Sequence, residues 1–210
     1  MASGVTIRGN HGRWVSEPDL TSMGASDRYA YSQLNQDYRS WLAALPTSAN
    51  AEHGILACHG TPTSDNRYLV EEVSDGPLVR ASLAAIKERL GAVQARVVLC
   101  GHSHQGHFIQ LPDGPTILNP GSVGCPSYDD PGNEPHVSES GSRHARYAVL
   151  DIHEDQVSAD MIAIAYDWTS AVARAESNGR PDWANGLRDP VPSKTCRIRR
   201  NLSARSSISW

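Results

Sequence analysis

The stretch Val97-Val98-Leu99-Cys100-Gly101-His102-Ser103-His104, with the turn Asn119-Pro120-Gly121-Ser122-Val123-Gly124 behind it, constrains this chain more than any other part. A short apolar run that ends abruptly in glycine reads as a buried strand. Two histidines separated by one residue then fall at the strand end, where ligands of α/β sheets collect. Imidazole keeps a free nitrogen lone pair near neutral pH and is the commonest metal ligand. One His-x-His is weak by itself, but two further blocks share its grammar. Val5-Thr6-Ile7-Arg8-Gly9 leads into Asn10 and His11, and Ile55-Leu56-Ala57-Cys58 leads into His59-Gly60. Three strand ends are therefore expected to bring Asn10 and His11, His59, and His102 and His104 to one crevice.

In this order and spacing the blocks resemble those of the calcineurin-like metallophosphoesterases, and within them the small bacterial phosphodiesterase branch. That family carries Asp-x-His, Gly-Asp, Gly-Asn-His-Asp/Glu, His and Gly-His-x-His, often followed by Asn-Pro-Gly-Ser. Three of the five blocks and the closing turn are present, over residues 5 to about 185. The resemblance implies an α/β fold, an αββα sandwich of two mixed sheets flanked by helices. It also implies a hydrolase that cleaves phosphodiesters or phosphomonoesters with a metal-activated hydroxide, and hence a small phosphoester substrate. It matches Asn10, His59 and His102 to the ligands of one divalent metal and His104 to a ligand of its neighbour. His11 matches the residue that stabilises the transition state or protonates the leaving oxygen. Asn119 and Gly121 would line the pocket floor beside the substrate phosphate.

The departures from the family are as informative. Residues 1–9 contain no Asp or Glu, the first carboxylate is Glu17, and Gly12 stands where the family usually has an acid. The Asp-x-His and Gly-Asp blocks are absent, and two βα units of roughly 30 residues each would hold them. The chain is expected to be an N-terminally truncated version of the fold that lacks its first βα units. Asn10, His59, His102 and His104 are all neutral ligands. Two dications about 4 Å apart repel by roughly 16 kcal/mol at an effective dielectric of 20. One ion per chain is therefore expected in preference to two, manganese first and zinc, iron or nickel as alternatives, with hydrolysis impaired. The competing readings are an inactive binding or scaffold module on the same fold, and a shortened chain that exposes a sheet edge and aggregates.

Composition sets the surroundings. With 39% hydrophobic and 20% charged residues, the 210-residue chain is globular, and a net charge of −4 argues against a broad nucleic-acid-binding surface. No apolar stretch reaches membrane-spanning length and no signal-peptide segment opens the chain, so a cytoplasmic location is the default. Cys58, Cys100, Cys125 and Cys196 lack metal-knuckle spacing, and Cys58 and Cys100, each just before a candidate ligand, read as buried free thiols. The domain is expected over residues 1–185. Residues 186–210 hold Lys194, Arg197, Arg199, Arg200 and Arg205 and read as a disordered basic tail, a nucleic-acid arm being the alternative.

Between the blocks, residues 12–25 read as loop. A single helix is expected from Ser26 or Asp27 to Leu45, its core-facing stripe formed by Tyr31, Leu34, Tyr38, Trp41, Leu42 and Leu45. The Thr61–Asn66 loop is placed over the site. A second helix is expected from Pro77 to Leu90, stopped by Gly91. Strands at 107–111 and 116–118 form a hairpin, 124–143 a surface loop, and 146–152 with 156–165 a second hairpin. Asp167 opens a last helix that Gly179 closes.

Overall fold

A computed structural model describes residues 4–132 and 134–189. Its centre is a five-stranded mixed sheet, in spatial order β1 (Ser48–Ala51), β2 (Ile55–Cys58), β5 (Val97–Leu99), β7 (Thr116–Pro120) and β6 (Gly106–Gln110). β2, β5 and β7 run parallel, while β1 and β6 close the edges antiparallel. Val97, Val98, Ile117 and Leu118 are buried although neighbours point to opposite faces, so the middle strands are covered on both sides, as parallel strands require. The other strands pair as hairpins: β3 (Glu71–Val73) with β4 (Leu78–Arg80), β8 (Ser127–Asp130) with β9 (His136–Glu139), and β10 (Ala145–His153) with β11 (Gln156–Ile164). These hairpins are separate two-stranded sheets, and β10–β11 reaches the main sheet where Met161 packs on Gly106.

The main core joins Cys58, Val98, Cys100, Ile109 and Ile117 of the sheet region to Ile86 and Leu90 of helix α4 (Leu83–Leu90). Ser82 caps α4 by accepting from the Ala85 amide, and Gly91, at φ 62°, ends it. A second cluster, Val172, Ala184 and Leu187, joins α5 (Trp168–Ser177) to α6 (Pro181–Arg188). Asp167 caps α5 and Gly179 follows it at φ 66°, as its sequence signals require.

Several expectations from the sequence are corrected. Residues 5–8 belong to no strand, and a helix, α1 (Asn10–Ser16), runs into the segment where loop was expected. The helix expected over 26–45 is two helices, α2 (Ala25–Gln33) and α3 (Gln36–Ala44). Leu34 is extended, and Asn35 caps the second helix by accepting from the Tyr38 amide. The aromatic stripe does not face the core: Tyr38 and Trp41 are exposed and α3 buries no residue. Residues 78–80 are strand, because they pair with 71–73, and the 124–143 segment contains the β8–β9 hairpin, with Ser127, His136 and Ser138 buried. Helix α6 extends to Arg188, past the boundary expected at 185, and the expectation of a basic tail over residues 190–210 lies outside the described residues.

Candidate active site

Two strand ends and one helix start bring the histidine blocks together. β2 runs straight into His59, and β5 runs into the Gly101–His104 loop, tied to its neighbour by the Gly101 amide donating to His59 O at 2.8 Å. The His59 and His102 rings lie 5.1 Å apart between centroids. Gly9, just before Asn10, lies flat against the His59 ring, since a Cβ there would come within 2.8 Å of it. Asn10 is 3% exposed. Its Nδ2 donates to Asn66 Oδ1 at 3.1 Å, and its Oδ1 is buried with no hydrogen-bond partner. An orphaned, buried amide oxygen next in sequence to the glycine packed on the His59 ring is the kind of gap in a polar network that a cation fills.

The imidazoles are kept neutral. Burial, reinforced by His104 and His11, lowers the pKa of His59 to about 4. Burial and then the neighbouring His59 lower that of His102 to about 4, against a hydrogen bond to the Asn66 backbone that favours the charged form. Burial lowers His104 as well. His104 Nδ1 lies 3.0 Å from Cys125 O. A carbonyl only accepts, so Nδ1 carries the proton and the lone pair of the neutral ring is on Nε2.

Both outer residues of the His-x-His loop have left-handed backbones, φ 68° at His102 and 64° at His104. For residues other than glycine this costs about 1 kcal/mol or more each. Aromatic neighbours fix the rings: Tyr68 stacks on His102 at 4.6 Å and Tyr128 meets His104 edge-on at 5.0 Å. The phenols are chained to each other at 2.7 Å, and Tyr68 Oη to His136 Nε2 at 2.8 Å. Burial pushes the Tyr68 phenol up to about 12 and raises Tyr128 further.

His11 stands at the rim with its side chain 65% exposed, and its Nδ1 lies 2.6 Å from Oδ1 of the buried Asp27. The carboxylate accepts, which leaves His11 Nε2 facing solvent. The Thr61–Asn66 loop does close over the site: Asp65 grips Arg13 of α1 through two bonds of 2.7 and 3.0 Å, and Asn66 holds Asn10. Arg13 in turn holds the Asp65 carboxyl below its ordinary range.

The two residues expected on the pocket floor behave differently. Asn119 is fully buried, its amide donating to Gly101 O and Ser103 Oγ and its Oδ1 accepting from the Gly121 amide. It buttresses the histidine loop and has no surface left for a substrate. Gly121, at φ 90°, lies against the Arg146 side chain, which a Cβ would meet at 2.9 Å. Cys58, Cys100 and Cys125 are free, and burial pushes the Cys58 thiol up to about 11. His107 lies 3.2 Å from the buried Glu71. Among the described residues no three His, Cys, Asp or Glu side chains form a metal-binding group.

Asp27, Tyr68, Glu71 and Tyr128 had no sequence signal of a site role. Asp27 reads as a helix cap, and the others sit among residues with no motif. No helix among the described residues is long and apolar enough to cross a membrane.

Comparison with known proteins agrees with this geometry. No match was found among curated proteins. The crystal structure of a metallophosphoesterase from Sphaerobacter thermophilus superposes with a TM-score of 0.64 at 18% identity, over 90% of this chain and 77% of that one. This likeness establishes a shared fold. A family model described as the calcineurin-like phosphoesterase superfamily domain matches residues 2–155, which include every histidine of the site. The chain belongs to the calcineurin-like phosphoesterase superfamily.

Proposed function

We propose that this chain is a metal-dependent phosphodiesterase that holds one divalent ion through Asn10 Oδ1 and the imidazoles of His59 and His102. The observation that carries the reading is the buried, unpartnered Asn10 oxygen, next in sequence to the Gly9 that packs on the His59 ring, which lies 5.1 Å from the ring of His102. Manganese suits this mixed amide and imidazole set, and zinc, iron or nickel fit it as well. A divalent ion bound there would supply Lewis acidity toward a phosphoryl oxygen and lower the pKa of water.

The chain's own residues supply the rest. His104, its Nε2 lone pair available, stands beside the set, where a second ion would lack any carboxylate to offset its charge. As an imidazolium, with Nδ1–H held by Asp27, His11 would give its Nε2 proton to the leaving oxygen and be left neutral, a role suited to a ring at the rim of the cleft. Asp27 fixes that ring by accepting a hydrogen bond from Nδ1. Replacing Asp27→Asn is expected to lower kcat roughly 10- to 100-fold with KM little changed. Steady-state kinetics on a chromogenic diester measure this, and an unchanged kcat would remove His11 from the mechanism.

Calorimetric titration with Mn²⁺ and hydrolysis of bis(p-nitrophenyl) phosphate test the main reading. One ion per chain and slow, Mn²⁺-dependent release of p-nitrophenol are expected. His102→Ala should cut Mn²⁺ affinity by about 100-fold or more. Two tightly held ions would overturn the single-ion site. The absence of both binding and hydrolysis would leave the inactive binding module, a reading favoured by the lack of any carboxylate in the ligand set.

A further inference from the structure

We infer that Glu71 is a positioning residue for the histidine loop: through Ser103 it holds His102 and His104 in the backbone conformation on which their ring placement depends. The inference rests on the proposal that His102 is a metal ligand. A loop with two left-handed non-glycine residues, separated by one position, relaxes unless its surroundings over-determine it. Here the residue between them is the point of restraint. Ser103 is fully buried. Its carbonyl accepts from Ser138 Oγ at 2.5 Å and its amide donates to Gly101 O at 2.8 Å. Its hydroxyl accepts from Asn119 Nδ2 at 3.0 Å, and the amide nitrogen of Asn119 can only donate. The hydroxyl's own proton therefore goes to Glu71 Oε1, 2.5 Å away.

Glu71 has no evident packing reason to be an acid. It is 2% exposed and lies on β3, with Cys100, Leu69 and Val70 of the core close by in the chain or the fold. Apolar residues of similar volume are often as stable or more stable at such positions. Its backbone is pinned, since Arg89 donates to Glu71 O at 2.7 Å, and His107 Nε2 approaches the same Oε1 at 3.2 Å. The carboxyl is thus a fixed acceptor set behind the loop. A polar group kept where the local rule asks for an apolar one is the mark of a site-supporting residue.

The test compares Mn²⁺ affinity, by calorimetry and by the manganese paramagnetic resonance signal, with thermal melting in the full chain. Glu71→Met is expected to melt cooperatively at or above the wild-type temperature while Mn²⁺ affinity falls 10- to 100-fold. Glu71→Gln keeps an oxygen that accepts the hydroxyl proton and should stay within about threefold of wild type. Ser103→Ala cuts the same link from the loop side and should repeat the loss seen with Glu71→Met. Should Glu71→Met not fold, Ser103→Ala and Glu71→Gln decide by the same comparison. Wild-type affinity in Glu71→Met or Ser103→Ala, or a loss in Glu71→Gln equal to theirs, overturns the positioning role alone. A wild-type chain that takes up no Mn²⁺ overturns the metal site and this inference with it.

Discussion

Acidified from pH 6.5 to pH 4, the protein is expected to lose a few kcal/mol of folding stability, well before its ion-paired carboxylates titrate. His59 and His102 hold folded-state pKa values of about 4, chiefly because burial penalises their charged forms, whereas unfolded imidazoles titrate near 6.5. Between those values the unfolded chain binds more protons than the folded one, so stability rises with pH across the window and falls as the solution is acidified. The upper bound is about 3 kcal/mol per ring, reduced by solvent screening at a cleft that is partly open. Asp65, held low by Arg13, behaves in the same sense but in a lower range, losing its contribution only as pH drops below the ordinary carboxylate value near 3.8. Urea midpoints at pH 7, 6, 5 and 4 measure the effect. A midpoint that stays flat down to pH 4.5 would show that the two rings are not buried neutral in solution.

The second large effect follows from Gly60. A Cβ there would meet Arg67 O at 2.5 Å and Ser64 O at 2.7 Å. Both are backbone oxygens, one in the tight turn closed by Thr61 and Ser64 and the other at Arg67 just beyond it, so no side-chain rotation gives relief. Gly60→Ala should destabilise the fold by about 3 kcal/mol and lower Tm by roughly 10 °C for a chain of this size. It should also release Asn10, because the displaced turn carries Asp65 and Asn66. A melt within about 2 °C of wild type would mean that the turn tolerates a different path.

These two effects fall on residues whose legibility in the sequence differed. His59 and the His102–His104 pair were readable because each follows a β-prone run and is flanked by glycine, a local signal that survives without knowledge of the fold. Their partners were not. Glu71 lies 32 residues from the hydroxyl it serves, and Asp27 16 residues from His11, and neither is marked by its neighbours. Asn119 was legible as part of a motif, yet its amide faces inward to brace a loop, which only the packing reveals.

The same division runs through the fold. Caps at Asp167 and Gly91 act within one turn of their helix, so they read correctly. The 78–80 strand and the buried β8–β9 hairpin depend on pairing partners, and Ser127, His136 and Ser138 line the latter with polar groups that carry no hydrophobic periodicity. The continuous aromatic spacing across 31–45 suggested one helix, while Asn35, as a cap, marked the break.

One contact bears on how the site is made. Arg180 Nη1 and Trp183 Nε1, on or beside α6, both reach Ser26 Oγ, at 2.7 and 3.2 Å, next to the carboxylate that orients His11. The segment that carries Asp27, the partner of His11, is therefore braced by residues more than 150 positions downstream. During synthesis that brace cannot form until Trp183 has left the ribosome. A nascent chain holding every histidine of the cleft would still lack the contact that steadies α2, and closure over so long a separation belongs among the later steps of folding.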